Sequence, residues 1–535
     1  MTTPLSRRQL VRSALAGASL GPLAAAAARS PQFGTGIEGQ RRADLGNGSF
    51  RNPIVAGDHA DPTLLKDGAD YYMTFSSFQS LPGAVIWHSQ DLVNWTPICA
   101  ALNQAIGTVW AMDLVKHGGR FFLYIPVLQK EGTALYVTHA DNIRGPWSEP
   151  IDLRVPGCID PGHVVGEDGR RYLFVNGGRR VRLTADGLAT DGPLEANAWT
   201  PWQYPADWVV EMFAAEGPKL LRRGAWFYLI SAVGGTAGPP TSHMVTVARS
   251  RSIHGPWEHC PHNPIVRTRS ADEPWWSRGH ASVVEGPIGG DGDWWMVYHG
   301  YENGFRTLGR QALLEPVEWT ADGWPRAKGG TLDKPLPKPK GGRPSPAGLA
   351  LSDDFLGQQL GLQWAFHAPG PDELSRLRFD KANSLLLRGK GQSLADCSPL
   401  TCSVGDRSFE VSVELEITGD GHGGLALFYD ERGHVGIGFS RTQLLTYGYG
   451  QEQGWMRESL ATSRVHIRLL NRDNVVTFWY SHDGKKSWQQ HPWQMEVSGL
   501  HHNVFGGFLS LRPALFSAGP GEVRMRNFVY KGLSL

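Results

Sequence analysis

The sequence lacks three features that mark common functional classes. It has almost no net charge, because 52 Lys and Arg residues face 51 Asp and Glu residues, and a nucleic-acid-binding protein usually has a basic excess or stripe. No two cysteines have C-x-x-C spacing, which argues against a zinc or redox centre. After the first 30 residues no stretch approaches the roughly 18 apolar residues of a membrane span. We therefore expect a soluble mature protein without a nucleic-acid partner.

The five cysteines are scattered, at positions 99, 158, 260, 397 and 402. Cys397 and Cys402 are close enough in sequence to form a disulfide. The alternative is that all five are small buried hydrophobic residues. Because their number is odd, at least one thiol is free or pairs with another chain.

Glycine, proline and tryptophan are plentiful. The chain has 66 Gly and 36 Pro, which indicates many turns but stays below the roughly 25–30% of disordered low-complexity chains. Charged residues make up only 19% of the chain, and there are 20 Trp. Such a composition is typical of β-architectures and of surfaces that stack on sugars.

The first 30 residues have the parts of an export signal. Ser6-Arg7-Arg8-Gln9-Leu10-Val11 resembles the twin-arginine consensus, and an uncharged stretch rich in Ala and Leu follows it. The stretch ends in the alanine run 24–28, which offers cleavage sites of the A-x-A type. It has no polar face, so an amphipathic helix is not favoured. We expect residues 1–30 to be a signal peptide and the protein to be periplasmic or secreted.

A short phrase recurs five times between residues 50 and 330. Each copy has apolar residues, a turn that contains Gly, and an aromatic-rich strand, which together predict a β-hairpin. The copies recur about every 50 to 60 residues, which favours a five-bladed β-propeller with four-stranded blades over a sandwich. The apolar and aromatic parts are 64–65 and 71–75, 114–115 and 121–124, 164–165 and 172–174, 220–221 and 226–229, and 283–284 and 294–298.

The character of the sequence changes after the propeller. Residues 331–348 contain five prolines among basic residues, which indicates a stiff, extended linker. In the region 350–535, strictly alternating stretches such as 409–417 and 465–469 predict half-buried strands. We predict an all-β chain in which a concanavalin-like antiparallel β-sandwich follows the propeller.

Distinctive polar residues stand at one position of the successive repeats. Just before the inner strand, the five copies have Asp61, Trp110, Asp160, Glu216 and His280. Equivalent positions of successive blades surround one central axis, so these side chains are predicted to meet in one pocket.

Three carboxyl groups in one pocket suit the hydrolysis of a glycosidic bond. One carboxylic acid protonates the leaving oxygen and one carboxylate activates water. A third carboxylate can raise the pKa of the acid by like-charge repulsion. Asp-Pro and Glu-Gly-Pro are also ordinary turn formers, but three such motifs in register argue against a purely structural role.

These motifs resemble glycoside hydrolase family 43. The resemblance rests on Asp61-Pro62, Asp160-Pro161 and Glu216-Gly217-Pro218, and it covers the propeller and probable sandwich. It implies that Asp61 is the general base, Glu216 the general acid, and Asp160 the residue that orients the acid and tunes its pKa. Trp110-Ala111-Met112-Asp113 matches the family's Trp-Ala-Pro-Asp only in part. Gly309-Arg310-Gln311 resembles the segment that brings an Arg into the sugar site.

Four further side chains are candidate substrate contacts. Trp110, Trp87 and Phe78 could form an apolar wall for a sugar ring, although propeller cores also need aromatic residues. His280 resembles the central His that, in relatives, supports the site or holds calcium through water. A packed, hydrogen-bonded His is the alternative.

The resemblance implies an inverting exo-glycosidase that acts on terminal pentoses of plant-wall oligosaccharides, of the β-xylosidase or α-L-arabinofuranosidase type. An exo-acting galactan hydrolase and a non-catalytic carbohydrate-binding propeller are the alternatives. We expect no cofactor to be required for the chemistry, and a structural calcium stays open. The expected partner is an oligosaccharide, and the oligomeric state stays open.

The sandwich has two alternative roles, as an independent module or as a structural partner of the propeller. In two-domain relatives the sandwich lies against the propeller and a loop from it narrows the pocket mouth. We expect the same here, with an apolar interface. The segment 505–516, predicted to be a strand that runs into a Pro-containing loop, is the candidate contact; a plain core strand is the alternative.

Overall fold

The computed structural model describes residues 33–381 and 383–533, which form an almost entirely β structure. The predicted export signal lies outside these residues. None of the helices found in the described ranges is long or apolar enough to cross a bilayer. They are the α-helix His502–Phe505 and the short 3-10 helices Ile37–Gly39, Asn176–Gly178, Arg306–Leu308, Glu373–Arg376 and Gly454–Met456.

Five antiparallel sheets follow one another as the blades of a propeller, which confirms the predicted architecture. In each blade the first strand contacts the first strands of its neighbours, so the first strands surround the axis. The strands are Thr63–Asp67, Asp70–Thr74, Gly83–Ser89 and Thr96–Leu102 in blade I; Asp113–His117, Arg120–Gln129, Gly132–Ala140 and Ile151–Asp152, with Thr108–Val109, in blade II; Gly162–Val165, Arg171–Val175 and Arg179–Arg182 in blade III; Ala215–Arg223, Trp226–Val233, Met244–Ser250 and Glu258–His259, with Val266–Arg267, in blade IV; and Trp275–Glu285, Trp294–Glu302, Arg310–Trp319 and Pro325–Ala327 in blade V.

Blade III has three strands, so the prediction of four strands in every blade is wrong there. After Arg182 the chain makes only isolated bridges, Arg180 to Glu195 and Leu183 to Thr190. The segment contains Gly187, Gly192 and Pro193, and glycine and proline interrupt a regular ladder.

The two ends of the propeller are held together by the residues that flank it. Ser49–Phe50 pairs with Leu336–Pro337, and Asn52 bonds through its side chain to both the N–H and the C=O of Leu314 in blade V. The proline-rich segment lies along blade I, because Lys338 Nζ donates to Asp91 Oδ2 at 3.2 Å and Ser345 Oγ accepts from the Gln90 N–H at 2.8 Å. A further two-residue ribbon, Gly34–Thr35 with Arg41–Arg42, precedes the propeller.

The C-terminal region is a sandwich of two antiparallel sheets around one large apolar core. The first sheet contains Trp364–His367, Leu400–Cys402, His422–Phe428, His434–Phe439, Gln443–Gly448, Gln451–Glu452, Glu458–Ser459 and Arg512–Ala518. The second contains Leu377–Asp380, Ser384–Arg388, Ser408–Thr418, Arg464–Arg472, Val475–Ser481, Gln489–Gln490, Met495–Glu496 and Glu522–Gly532.

The sandwich packs on the propeller, as predicted. The propeller strand Ser80–Leu81 pairs with Trp364–His367 and becomes the edge of the first sandwich sheet. Ala60 and Phe78 of blade I belong to the sandwich core cluster. The contact is also polar, because buried Glu302 of blade V accepts hydrogen bonds from Arg407 of the sandwich.

The prediction for the segment 505–516 is wrong in its order. The helix His502–Phe505 ends at Gly506, a loop follows, and the strand Arg512–Ala518 comes last. Pro513 lies inside this strand, where it pairs with Leu427 on one side only. A proline, which has no N–H, is tolerated at such a position.

All five cysteines are free thiols. Cys402 packs in the core between the sandwich sheets, whereas Cys397 packs in a separate cluster with Phe516. The alternative of a disulfide between them is therefore wrong.

Candidate active site

Five residues occupy the same position in the successive repeats, and four of them carry polar side chains at the inner ends of the blades. Asp61 and Asp160 each stand two residues before the first strand of their blade, with left-handed φ values of 57° and 55°. His280 has φ 61° in a strand with irregular register, and Glu216 lies where the first strand of blade IV bulges. Bulges and left-handed residues re-aim side chains, so the local backbone turns these groups out of the ladder.

Asp61 is a buried carboxylate with four polar partners. Arg310 Nη1 donates to its Oδ1 at 2.7 Å, and Ser76 Oγ donates to its Oδ2 at 2.6 Å. The Nδ1 atoms of His299 and His280 lie 3.1 and 3.4 Å from Oδ1. Burial opposes ionisation, but Arg310, His280 and His299 outweigh it and hold the pKa of Asp61 well below its usual range. Asp61 is therefore ionised.

The pKa values of Glu216 and Asp160 are raised, in contrast to that of Asp61. Burial, with the neighbouring charges of Asp160 and Asp61, raises the pKa of Glu216 well above its usual value. Burial and the charge of Asp61 raise the pKa of Asp160 to about 7. Asp160 Oδ2 accepts a hydrogen bond from the Gly217 N–H at 3.1 Å. Gly217 has φ 60°, and a Cβ there would come within 2.9 Å of the His280 ring, so the Glu-Gly-Pro motif needs glycine.

A buried lysine joins blades II, III and IV beneath these acids. Lys219 Nζ donates to the Met112 carbonyl at 2.7 Å, to Asp113 Oδ1 at 2.9 Å and to the Pro161 carbonyl at 3.1 Å. The sequence prediction missed Lys219. Its signal in the sequence is a lysine that directly follows Glu-Gly-Pro and precedes Leu220 and Leu221.

Three histidines stand side by side at the axis, and only His280 was predicted. The ring centroids of His243 and His299 are 5.1 Å apart with an interplanar angle of 7°. Burial lowers the pKa of His243 to about 4 and that of His280 to about 3, and it lowers that of His299 well below its usual value. All three are therefore neutral imidazoles. Neither His243 nor His299 belongs to a recognisable motif, so their strand-end positions gave no signal.

The positions of His243 and His280 show whether a calcium ion would fit beside Glu216. Ligand atoms of Glu216, His243 and His280 lie within 4.8 Å of one another. Calcium prefers six to eight oxygen ligands, so one carboxylate with two imidazoles does not fit direct coordination. His243 Nδ1 donates to the Gly234 carbonyl at 2.5 Å, which leaves its buried Nε2 as an acceptor without a partner. Such an atom suits a water molecule, and so an ion held through water.

An aromatic wall beside Arg310 combines both domains. Phe508 of the sandwich stacks near Phe78, with centroids 6.4 Å apart at 15°, and meets Trp110 edge-on at 6.5 Å. The Arg310 guanidinium lies 5.2 Å from the Phe508 centroid and 5.7 Å from that of Phe78. The wall thus contains two of the predicted aromatic residues, Trp110, which is half-buried, and Phe78, which is 4% exposed and backs the wall from the core. Phe508 falls in the segment 505–516 but was not singled out.

Trp87 does not belong to this wall, so its prediction as a sugar contact is not supported. It is only 8% exposed and packs in the core of blade I. Its ring lies edge-on to His59, with centroids 5.1 Å apart. A tryptophan in a repeat strand serves the core as readily as a pocket, and the sequence cannot separate the two uses.

The site therefore brings together a carboxyl group whose pKa is lowered, Asp61, and one whose pKa is raised, Glu216. Residues 50–325 match the family model described as glycosyl hydrolases family 43. The chain belongs to glycosyl hydrolase family 43. Residues 352–527 match the model of a beta xylosidase C-terminal concanavalin A-like domain. As a family 43 member the protein is a glycoside hydrolase.

Some similar proteins match nearly the whole chain, and others match about half of it. A non-reducing end alpha-L-arabinofuranosidase from Bacteroides ovatus is 27% identical, over 89% of this chain and 93% of its own length. A xylan 1,3-beta-xylosidase from Vibrio is 33% identical, over 52% of this chain and 57% of its own length. The crystal structure of a xylan beta-1,4-xylosidase from Bacillus halodurans is 25% identical and has a TM-score of 0.79, covering 90% of this chain and 99% of that one.

Proposed function

We propose that this family 43 protein is an inverting exo-glycosidase that removes terminal pentoses, xylose or arabinofuranose, from plant-wall oligosaccharides. The observation that carries the proposal is the division of labour between a buried carboxyl group, Asp61, and a half-buried one, Glu216. Asp61 is held ionised by Arg310, whereas Glu216 is held protonated by burial and by its acidic neighbours. A water-activating base and a proton donor are what hydrolysis of a glycoside requires.

Asp61 acts as the general base in this scheme. Its Oδ1 and Oδ2 are fixed by Arg310 and Ser76, so it can orient a water molecule towards the anomeric carbon. As the water oxygen forms its bond to this carbon, one of its protons passes to Asp61. The bond from the anomeric carbon to the leaving oxygen breaks in the same step, with inversion of configuration.

Glu216 acts as the general acid. It gives its proton to the leaving oxygen, which departs as an alcohol, and Glu216 becomes a carboxylate. Asp160 raises the pKa of Glu216 by like charge and fixes the Gly217 N–H beside it, which prepares Glu216 as a donor near neutral pH.

The aromatic wall supports exo action. Phe508 comes from the sandwich and stands against Phe78 and Trp110 of the propeller, so the pocket is narrowed on that side by a second domain. A narrow pocket admits the end of a chain better than its middle. The half-buried Trp110 and Phe508 offer ring surface to one sugar, and Arg310 beside them offers hydrogen bonds to the hydroxyl groups.

The scheme needs no cofactor. A calcium ion held through water by His280 and His243 would supply fixed positive charge beside Glu216, and no step of the hydrolysis is assigned to it.

The relatives favour an enzyme over a carbohydrate-binding propeller without activity, and pentose over galactose. Assays with 4-nitrophenyl β-D-xyloside, α-L-arabinofuranoside and β-D-galactoside separate the substrates, and we expect turnover of one or both pentosides. NMR of the first product from the xyloside should show α-xylose. Turnover of the galactoside alone, or β-xylose as first product, would contradict the proposal.

We also propose that the protein is exported by the twin-arginine route to the periplasm or beyond. Support comes from Arg7 and Arg8 ahead of the uncharged Ala- and Leu-rich stretch. Cell fractionation checks this, because the variant Arg7→Lys/Arg8→Lys should remain in the cytoplasm. Equal export of both forms would contradict the assignment.

A further inference from the structure

Three aromatic rings form a cluster on the surface of the sandwich, distinct from the pocket wall. Tyr449, Trp455 and Trp493 are called the aromatic platform here. Trp455 is 77% exposed and Tyr449 51% exposed, and Trp493 is half-buried. The Trp493 centroid lies 6.2 Å from that of Trp455 and 6.3 Å from that of Tyr449. An exposed tryptophan forgoes a large hydrophobic gain, so such a cluster calls for a ligand.

The rings are exposed but held in place. The Tyr449 hydroxyl donates to the Glu496 carbonyl at 3.1 Å, and Trp455 Nε1 donates to Gln453 Oε1 at 3.1 Å. The Trp493 ring lies against Gly448, where a Cβ would come within 2.5 Å of it. The polar edges of Tyr449 and Trp455 therefore bond to the protein, which leaves ring faces for another molecule. Ordering before binding lowers the entropy lost on binding.

The backbone at Tyr449 supports a functional role. Its φ is 51°, a left-handed conformation that is strained for a bulky residue. Such strain persists where the surrounding structure enforces it, and it concentrates at binding sites. Here it orients an aromatic side chain that packs little of its surface inside the protein.

The surroundings of the platform select a neutral ligand. Exposed Gln451 supplies an amide group at the rim, whereas the Gln453 amide is already bonded to Trp455 and to the carbonyls of Gly448 and Gln451. The nearby charges of Glu452 and Arg457 pair with each other at 2.5 Å, so no excess of positive charge among them attracts a nucleic acid or an anionic lipid surface. An amide at the rim and flat apolar faces at the centre match hydroxyl groups around the apolar face of a sugar ring.

The platform is linked to the segment that carries the pocket wall. The Gly450 N–H donates to the His434 carbonyl at 3.1 Å. Arg432, in the adjacent turn, bonds through its guanidinium to the Phe505 carbonyl. Phe505 ends the short helix that precedes Phe508. Two adjoining loops of one domain thus connect the aromatic platform with the catalytic pocket.

We propose that the aromatic platform of Tyr449, Trp455 and Trp493 is a second carbohydrate-binding site, which holds a neutral plant-wall polysaccharide outside the catalytic pocket. The choice of polymer rests on the proposed function, but the binding itself does not. The platform keeps the enzyme on its polymer, whereas the pocket takes only the chain end.

Affinity electrophoresis in native gels that contain soluble arabinoxylan tests the proposal. The protein carries Glu216→Ala, so that the polymer stays intact. We expect arabinoxylan to retard this protein, and Trp455→Ala and Tyr449→Ala each to weaken the binding roughly tenfold, since aromatic contacts contribute on this scale. Val529→Ala is the matched control, because Val529 is a 48% exposed apolar residue elsewhere on the sandwich. With Glu216 intact, all three variants should keep wild-type kcat/KM on aryl pentosides.

Equal retardation of Trp455→Ala and its parent would overturn the proposal. So would a sedimentation change in Trp455→Ala without a change in retardation, because the platform would then be a contact between copies of the chain. If the wild-type protein does not hydrolyse aryl pentosides, the proposed function is wrong. Retardation by arabinoxylan would still show whether the aromatic platform binds the polymer.

Discussion

The propeller and the sandwich differ in what they bury at their centres. The propeller axis is surrounded by polar side chains that contact one another: Asp61, Asp160, Glu216, Arg310 and three neutral histidines. The main core of the sandwich consists of apolar side chains. In a propeller the apolar faces pack between neighbouring blades, so the axis stays free for polar groups. In a sandwich the two sheets pack face to face and leave no such space.

This difference assigns the tasks of the two domains. Buried charges are tolerable only when they are paired and hydrogen-bonded, and the axis provides the pairs Asp61 with Arg310 and Asp113 with Lys219. The sandwich contributes aromatic rings from its loops, Phe508 at the pocket and Trp455 at its surface. We therefore propose that the propeller axis carries out the chemistry and that the sandwich contributes shape and binding.

The largest effect should come from the charges at the axis. Asp61→Asn should lower kcat/KM by roughly 1000-fold or more on every substrate, because water must be activated whatever the leaving group. Glu216→Ala should lose as much on oligosaccharides but far less on activated aryl glycosides, which need little protonation. Steady-state kinetics on both kinds of substrate measure this. Asp168→Asn, in the turn of blade III, is the control and should match the wild type. Equal losses in both catalytic variants on both substrates would contradict the roles.

The repeat explains why part of this site was predictable. Asp61, Asp160, Glu216 and His280 occupy one position of a recurring phrase, and the left-handed φ shared by Asp61, Asp160 and His280 is its structural counterpart. A position repeated around an axis fixes a spatial relation, so a sequence alone predicts the cluster. The hairpins of all five blades follow from the same phrase.

The residues that the sequence did not predict reach the site by other routes. His299 and Lys219 each lie inside a strand beside apolar residues, and nothing local distinguishes them from residues that border a core. Phe508 comes from another domain, and its approach depends on the pairing of Ser80–Leu81 with the sandwich. Trp87 has the residue type of a sugar contact but the surroundings of a core residue. These outcomes are decided by tertiary packing, which no local pattern records.

A smaller effect should come from Asp160→Asn, which removes a charge at the axis but leaves the acid Glu216 in place. Glu216 is active when protonated, so kcat/KM should fall as the pH rises through its raised pKa. Asp160→Asn removes a like charge that raises this pKa, so the alkaline limb of the pH profile should move to lower pH, by about one unit. The same variant should lose roughly 10- to 100-fold in kcat. Asp168→Asn should leave the limb in place. An alkaline limb that stays or moves to higher pH in Asp160→Asn would show that Asp160 does not act on Glu216.

The smallest effect should come from Phe508, an aromatic ring that the sandwich contributes to the wall beside Arg310. Phe508 stacks near Phe78 and carries no charge, so Phe508→Ala should raise KM roughly tenfold and change kcat little. For the same reason its pH profile should keep the wild-type limbs. Val504→Ala is the matched control, because Val504 lies in the short helix just before Phe508 and is a 62% exposed apolar residue. If Phe508→Ala lowered kcat as strongly as Asp61→Asn, or shifted the pH profile, the sandwich would take part in the chemistry, and the division between a catalytic axis and a shaping sandwich would fail.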